Sequence, residues 1–122
     1  MDPQKLSEWI RDILENKKAH DVQILPVGEK TTLAEYFVVA DGNSVTQVKA
    51  LEDDLTYRLK EDFQILPLSE EGEGSGKWVL IDYGSVIVHL FKTSERQFYD
   101  LEQFWKSKHS DISPSEAKEH LY

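Results

Sequence analysis

The sequence has no cysteine among its 122 residues. It can therefore form no disulfide, supply no thiol nucleophile and offer no thiolate to a metal, which fits a reducing compartment. No apolar run is long enough to cross a bilayer, and the start of the chain lacks the basic and apolar regions of a secretory signal. We therefore expect a cytoplasmic protein with no membrane partner.

Positive charge is also scarce, with 14 Lys and Arg residues against 23 Asp and Glu residues and a net charge of −9. The densest basic patch is the pair Lys17 and Lys18, so a nucleic-acid backbone would be repelled rather than bound. A basic protein surface is the favoured partner, because opposite potentials steer the encounter of two molecules.

The chain does contain enough apolar residues for a folded core. Hydrophobic residues make up 39% of it and charged residues 30%, a balance typical of globular proteins. A chain of this length usually forms one domain. We expect residues 1–106 to form a single α/β domain and residues 107–122 to form a polar C-terminal tail.

The hydrophobic periodicity predicts helices and strands in the order α-β-β-α-β-β-β-α. Helices are expected after Asp2 and Pro3 and after the capping-box patterns S-x-x-Q that begin at Ser44 and Ser94. Strands are predicted over residues 22–25, 33–40, 63–66, 78–82 and 86–91, with an exposed loop over 69–77. The last two strands should form a hairpin, and the whole should form a mixed β-sheet with flanking helices.

Side chains that could perform catalysis are few. Of the four histidines, only His89 lies inside a predicted element, and we expect it to be partly buried and hydrogen-bonded. The spacings typical of zinc and calcium sites do not occur. The sequence therefore predicts no metal and no cofactor.

The turn Gly42-Asn43-Ser44, placed between a strand and a helix, is similar to a feature of the nucleotidyltransferase fold. Two-metal transfer in such enzymes needs carboxylates that converge on the two ions. The predicted strand over 63–66 carries no acid, and Asp82 stands alone at a strand end. We therefore predict a nucleotidyltransferase-like scaffold without the metal-binding carboxylates, in which Asp41 to Ser44 form a strand end and a helix cap.

Two long motifs give the sequence a specific resemblance. Residues 78–91 read WVLIDYGSVIVHLF and residues 96–105 read RQFYDLEQFW, while residues 36–44 read YFVVADGNS and residues 47–50 read QVKA. In this order and spacing they closely resemble the ribosomal silencing factor family (RsfS, also called Iojap). The resemblance covers about residues 6 to 105, and it departs at Ser85 and Glu35, where the family commonly has Asp.

The resemblance implies a factor that is not an enzyme. The family binds the large ribosomal subunit through a basic protein of its intersubunit face, the large-subunit protein numbered fourteen, rather than mainly through ribosomal RNA. It thereby blocks joining of the small subunit and represses translation when nutrients are short. The resemblance also implies a homodimer.

The expected partner-binding residues are Trp78, Tyr83, Tyr99 and Glu102. Trp78 matches a tryptophan that the family uses at its interface, although it could instead belong to the core beneath the last helix. Tyr83 lies in the hairpin turn, where it could simply face solvent. Tyr99 and Glu102 lie three residues apart on one side of the last helix.

Other side chains of the same region are expected to steer the encounter or to hold the fold. The acidic side chains Glu70, Glu71 and Glu73 could attract a basic partner, or could only keep the loop soluble. Asp82 and Arg96 could form an ion pair. The apolar side chains of the last helix are expected to face the core: Phe98, Leu101 and Trp105.

Two other functions stay open from the sequence. The first is a nucleotidyltransferase-like enzyme or a nucleotide-binding protein. The second is a dimerising adaptor with no ribosomal role.

Overall fold

A computed structural model of the chain describes residues 2–72 and 75–100. Its elements follow the predicted order α-β-β-α-β-β-β-α. They are α1 (Pro3–Asn16), β1 (His20–Pro26), β2 (Tyr36–Gly42), α2 (Val45–Phe63), β3 (Ser69–Glu71), β4 (Trp78–Asp82), β5 (Val86–Lys92) and α3 (Thr93–Tyr99). The predicted domain boundary at residue 106 lies outside the described residues.

The first two helices begin at the residues that their caps predict. The Asp2 carboxylate accepts a hydrogen bond from the backbone N–H of Gln4, with Pro3 in the first turn. The hydroxyl oxygen of Ser44 accepts a hydrogen bond from the N–H of Gln47 at 3.1 Å. Each bond satisfies a backbone donor that the helix itself leaves unpaired.

The five strands form one mixed sheet in the order β1-β2-β5-β4-β3. β2 and β5 run parallel, and the other neighbouring pairs run antiparallel. The predicted hairpin of β4 and β5 is confirmed, and its turn places Gly84 at a φ of 89°, which glycine adopts without steric cost.

The third predicted strand is wrong. α2 runs through to Phe63, whose ring stacks on Trp9 with centroids 4.1 Å apart, and the chain then turns at Gln64. The strand lies later, as β3, inside the stretch that the sequence predicts as a loop. It is short and exposed, and it pairs with β4 through backbone hydrogen bonds. Its sequence therefore lacks the hydrophobic pattern of a strand.

The central strands β2, β5 and β4 are buried on both faces, as an unbroken apolar run such as that of β2 predicts. One face packs against α1 and α2, which contribute Leu6, Ile10, Leu14, Val48, Leu51, Leu55 and Leu59. The opposite face carries Phe37, Val39, Trp78, Leu80, Ile87 and Phe91, joined by Val27 and Ala34 from the connection between β1 and β2. Because side chains alternate along a strand, neighbouring residues of β2 serve different cores.

Candidate functional site

Aromatic side chains cluster on the sheet face opposite α1 and α2. We call Phe37, Trp78, His89 and Phe91 the aromatic face; all four are fully buried. The Trp78 Nε1–H donates a hydrogen bond to His89 Nδ1 at 3.1 Å, and the Phe37 and His89 rings lie 4.6 Å apart. An indole nitrogen can only donate, so His89 Nδ1 must be the acceptor. The predicted hydrogen bond of His89 is confirmed, and the side chain is fully buried rather than partly buried as predicted.

The structure places Trp78, an expected partner contact, inside the core. Its side chain has an exposed fraction of 0%, and its ring lies 4.7 Å from that of Phe91. The indole therefore offers no surface that a partner could touch in this conformation. The alternative reading from the sequence, in which Trp78 belongs to the core, agrees with the structure.

Tyr83 is also buried, on the other side of the sheet. Its side chain belongs to the core that α1 and α2 cover, so it neither faces solvent nor meets Trp78. Burial, with a contribution from the charge of Glu70, raises the pKa of Tyr83 above its usual range. Within residues 2–72 and 75–100, its hydroxyl has no hydrogen-bond partner. A direct contact between Tyr83 and a partner does not fit this packing.

The unpartnered hydroxyl of Tyr83 leads to a stability prediction. We expect Tyr83→Phe to raise the free energy of unfolding by about 1 kcal/mol, because it removes a buried polar group that has lost its bonds to water. Urea denaturation measures the change. Tyr57→Phe is the matched control, since Tyr57 is 63% exposed and its change should stay within about 0.5 kcal/mol. A clear loss of stability in Tyr83→Phe would show that the hydroxyl is satisfied.

The last described helix differs from its prediction in two ways. α3 begins at Thr93, with Lys92 rather than Ser94 in the capping position and no side-chain cap bond. Phe98, expected in the core, is 69% exposed. Tyr99 is the final residue of α3. The predicted positions of Glu102, Leu101 and Trp105 lie outside the described residues.

A buried ion pair anchors α3 to the sheet. Asp41, at the end of β2, is fully buried, and Arg96 of α3 donates a hydrogen bond to its Oδ1 at 2.7 Å. Arg96 also donates to the backbone carbonyl of Asp21 at 2.7 Å. We call Asp41, Arg96, His20 and Thr93 the Asp41 anchor, because the last two also hydrogen-bond to its carboxylate.

The Asp41 carboxylate is held in its charged form. Burial alone would raise its pKa, but hydrogen bonds from Thr93, Arg96 and His20, with the charge of Arg96, outweigh burial and hold the pKa of Asp41 below its usual range. A buried carboxylate needs such partners, because an unpaired charge in the interior is strongly unfavourable.

The sequence reasoning missed this anchor and paired Arg96 with the wrong acid. Asp82 instead accepts a hydrogen bond from the N–H of Gly84 at 2.7 Å, within the hairpin turn. Asp41 and Arg96 lie 55 residues apart in the chain. The signal available in the sequence was the position of Asp41, an acid that directly follows the apolar residues of β2.

The structure separates the predicted site residues into two ends of the sheet. β4 begins at Trp78, opposite Phe91 and close to α3, and ends at Asp82 beside the hairpin turn. The two ends lie about 13 Å apart by the rise of a strand. The exposed Glu70 and Glu71 of β3 lie between them, opposite Ile81 and Leu80. Glu73 lies outside the described residues.

Neither a metal cluster nor a membrane-crossing helix is found in the part of the chain that the structure describes. The turn from Asp41 to Ser44 forms a strand end and a helix cap there, as predicted. Gln47 completes it, since its side-chain oxygen accepts a hydrogen bond from the N–H of Asn43 at 2.6 Å.

Comparison with known proteins gives one family and several relatives. The profile of a family described as "Ribosomal silencing factor during starvation" matches residues 1–121. The chain is 36% identical over 104 residues to a protein named ribosomal silencing factor RsfS from Zymomonas mobilis subsp. mobilis, covering 85% of this chain and 77% of that protein. It is 35% identical over 118 residues to the protein of that name from Chromobacterium violaceum, covering 97% and 96%.

A solved structure and a more distant relative extend the comparison. A crystal structure of a Chromobacterium violaceum protein superposes with a TM-score of 0.82 at 34% identity, covering 93% of each chain. A mouse protein named "Mitochondrial assembly of ribosomal large subunit protein 1" is 26% identical over 109 residues, which span 85% of this chain and 46% of the mouse protein.

Proposed function

Because the chain belongs to the ribosomal silencing factor family, RsfS, we propose that it binds the large ribosomal subunit and blocks its joining with the small subunit. The observation that carries the proposal is the family match over residues 1–121. The name of the mouse relative, which refers to the large subunit, supports the choice of subunit. The family's description, which refers to starvation, supports a repression of translation when nutrients are short.

The proposed contact is a basic protein of the intersubunit face, the large-subunit protein numbered fourteen. A net charge of −9 favours a basic protein over the surrounding ribosomal RNA, whose phosphates repel an acidic surface. Discrimination by repulsion is as effective as added attraction in choosing a partner. The homodimer and the cytoplasmic location that the sequence predicts remain part of this proposal.

The mechanism we propose is occupancy without a chemical step. A folded body seated where the small subunit must dock prevents joining by steric exclusion alone. The rate at which the protein dissociates then sets how long a subunit stays silent. Mutants of one interface differ mostly in that rate.

We place the principal contact on α3 and the residues that follow it. Tyr99 and Glu102 are the proposed contact residues, and the exposed Phe98 directly precedes Tyr99 in the chain. Trp78 packs at this end of the sheet, because its partner Phe91 in β5 lies two residues before α3. Glu70, Glu71 and Glu73 are proposed to steer the encounter.

Sedimentation of purified subunits tests the function. Added at excess over the large subunit, the protein should migrate with large but not small subunits and reduce the peak of joined ribosomes. Equal migration with both subunits, or an unchanged joined peak, would contradict the proposal.

The same experiment tests the contact residues. Tyr99→Ala should weaken binding to the large subunit by about 2 kcal/mol, or about 30-fold, because buried tyrosines are frequent interface hot spots. Tyr57→Ala is the matched control, since Tyr57 lies on the exposed side of α2 and should leave binding unchanged. Equal affinities for the two variants would move the contact away from α3.

A further inference from the structure

Two exposed leucines precede the edge strand of the sheet. Leu66 is 64% exposed and Leu68 is 74% exposed, and β3 follows directly. We call Leu66, Leu68 and β3 (Ser69–Glu71) the leucine edge. One exposed leucine needs no explanation, but two at alternate positions beside an open strand edge form an apolar strip.

The strip is held in place before any partner arrives. Pro67 restricts Leu66 to extended backbone, and the chain bends at Leu68 directly before β3. The N–H of Leu68 donates a hydrogen bond to the carbonyl of Asp82 at 2.7 Å. A side chain at Gly84 would lie 3.6 Å from the Leu68 Cδ1, so Leu68 rests over the hairpin turn. A partner would therefore have little of this surface to order on binding.

The strand edge itself can bind a further strand. β3 ends the sheet order, with β4 on one side only, and within residues 2–72 and 75–100 no strand lies against its other side. An open edge presents backbone donors and acceptors that an extended peptide can pair with. The affinity then comes from the backbone, and the specificity from alternate side chains.

Charge selects the occupant of this edge. Residues 61–72 contain Glu61, Asp62, Glu70 and Glu71 and no Lys or Arg. A second copy of the chain pairing edge to edge would bring acids against acids, which is unfavourable for directly opposed residues. A segment with basic residues and apolar residues in alternation is complementary in both charge and shape.

We infer that the leucine edge binds an extended basic segment of a large-subunit protein, which adds a strand beside β3. The inference rests on the proposed function and adds a second contact at the end of the sheet opposite α3. Two separate contacts on one particle would raise the affinity beyond that of either alone, provided that both can be engaged together.

The test compares the wild type with variants of the full chain in binding to purified large subunits. The double variant Leu66→Ser/Leu68→Ser should bind at least 10-fold more weakly and melt at the same temperature as the wild type, because both leucines are exposed. Tyr57→Ser, which also removes an exposed apolar side chain, should bind as the wild type does. Amide hydrogen exchange in β3 should slow when the wild type binds the subunit.

The outcomes separate this inference from the proposed function. If the double variant binds the large subunit as the wild type does, and amide exchange in β3 of the wild type does not change on binding, the inference about the leucine edge is wrong and the proposed function stands. A wild type that binds no subunit would overturn both. A double variant that changes the self-association of the chain and not its subunit binding would show that a second copy occupies the edge. Glu70→Lys should weaken binding more at low salt than at high salt, and an effect independent of salt would contradict a basic occupant.

Discussion

Arg96→Leu should lower the free energy of unfolding by about 3–5 kcal/mol, because it leaves the buried carboxylate of Asp41 without its guanidinium partner. The remaining hydrogen bonds from Thr93 and His20 cannot replace a full positive charge. Urea denaturation at neutral pH measures the loss. Since small domains are stable by only about 5–15 kcal/mol, the variant should be visibly destabilised at room temperature.

A surface ion pair provides the control for Arg96. Arg58 contacts Asp54 at 3.2 Å on α2, with its own side chain 45% exposed, so Arg58→Leu should cost less than about 1 kcal/mol. The double variant Asp41→Asn/Arg96→Leu should recover part of the loss, because it no longer buries an unpaired charge. An Arg96→Leu variant as stable as Arg58→Leu would contradict the anchor.

The pH dependence of the anchor has a defined sign. Because the folded-state pKa of Asp41 lies below its model-peptide value of 3.8, the folded state holds the ionised carboxylate more tightly than the unfolded state does. Its stabilisation is complete above pH 3.8 and is lost as the pH falls through the lower, folded-state pKa. The difference in stability between the wild type and Asp41→Asn should therefore narrow below pH 3.8, and a constant difference would contradict this origin.

The anchor also links the fold to the proposed partner surface. α3 makes its ion pair through Arg96, three residues before Tyr99. Loss of the anchor should therefore displace α3 and weaken subunit binding even in the molecules that remain folded. No side-chain cap bond fixes the start of α3, and its first residue, Thr93, donates a hydrogen bond to the distant Asp41 carboxylate.

Local signals predicted the parts of this fold that local interactions build. The caps at Asp2 and Ser44, the hairpin turn at Gly84 and the doubly buried β2 each depend on residues close together in the chain. The failures involve distant partners. β3 exists because β4 offers it a backbone edge, and no side-chain pattern within three exposed residues could reveal that pairing.

The candidate site shows the same division. Burial of His89 followed from its place in an apolar strand, whereas its bond to Trp78 spans two strands and needed the structure. Phe98 follows the apolar spacing of a helix stripe, yet it is exposed, because the end of a short helix need not face the core that spacing assumes. Aromatic residues alone could not tell a partner contact from a core position, and the burial of Trp78 is visible only in the structure.

Trp78→Ala should lower the free energy of unfolding by about 3–5 kcal/mol, because it empties a fully buried site between His89 and Phe91. Trp78→Phe keeps an aromatic ring but removes the N–H that satisfies His89 Nδ1, so about 1–3 kcal/mol of the loss should remain. Thermal melts of both variants beside the wild type measure these differences.

Subunit binding, measured well below the melting temperature of each variant, then separates a core role of Trp78 from a partner contact. If Trp78 acts through the core, Trp78→Phe should bind the large subunit as the wild type does while melting earlier. A variant that melts normally but fails to bind would return Trp78 to the partner surface and would require the aromatic face to open in the complex.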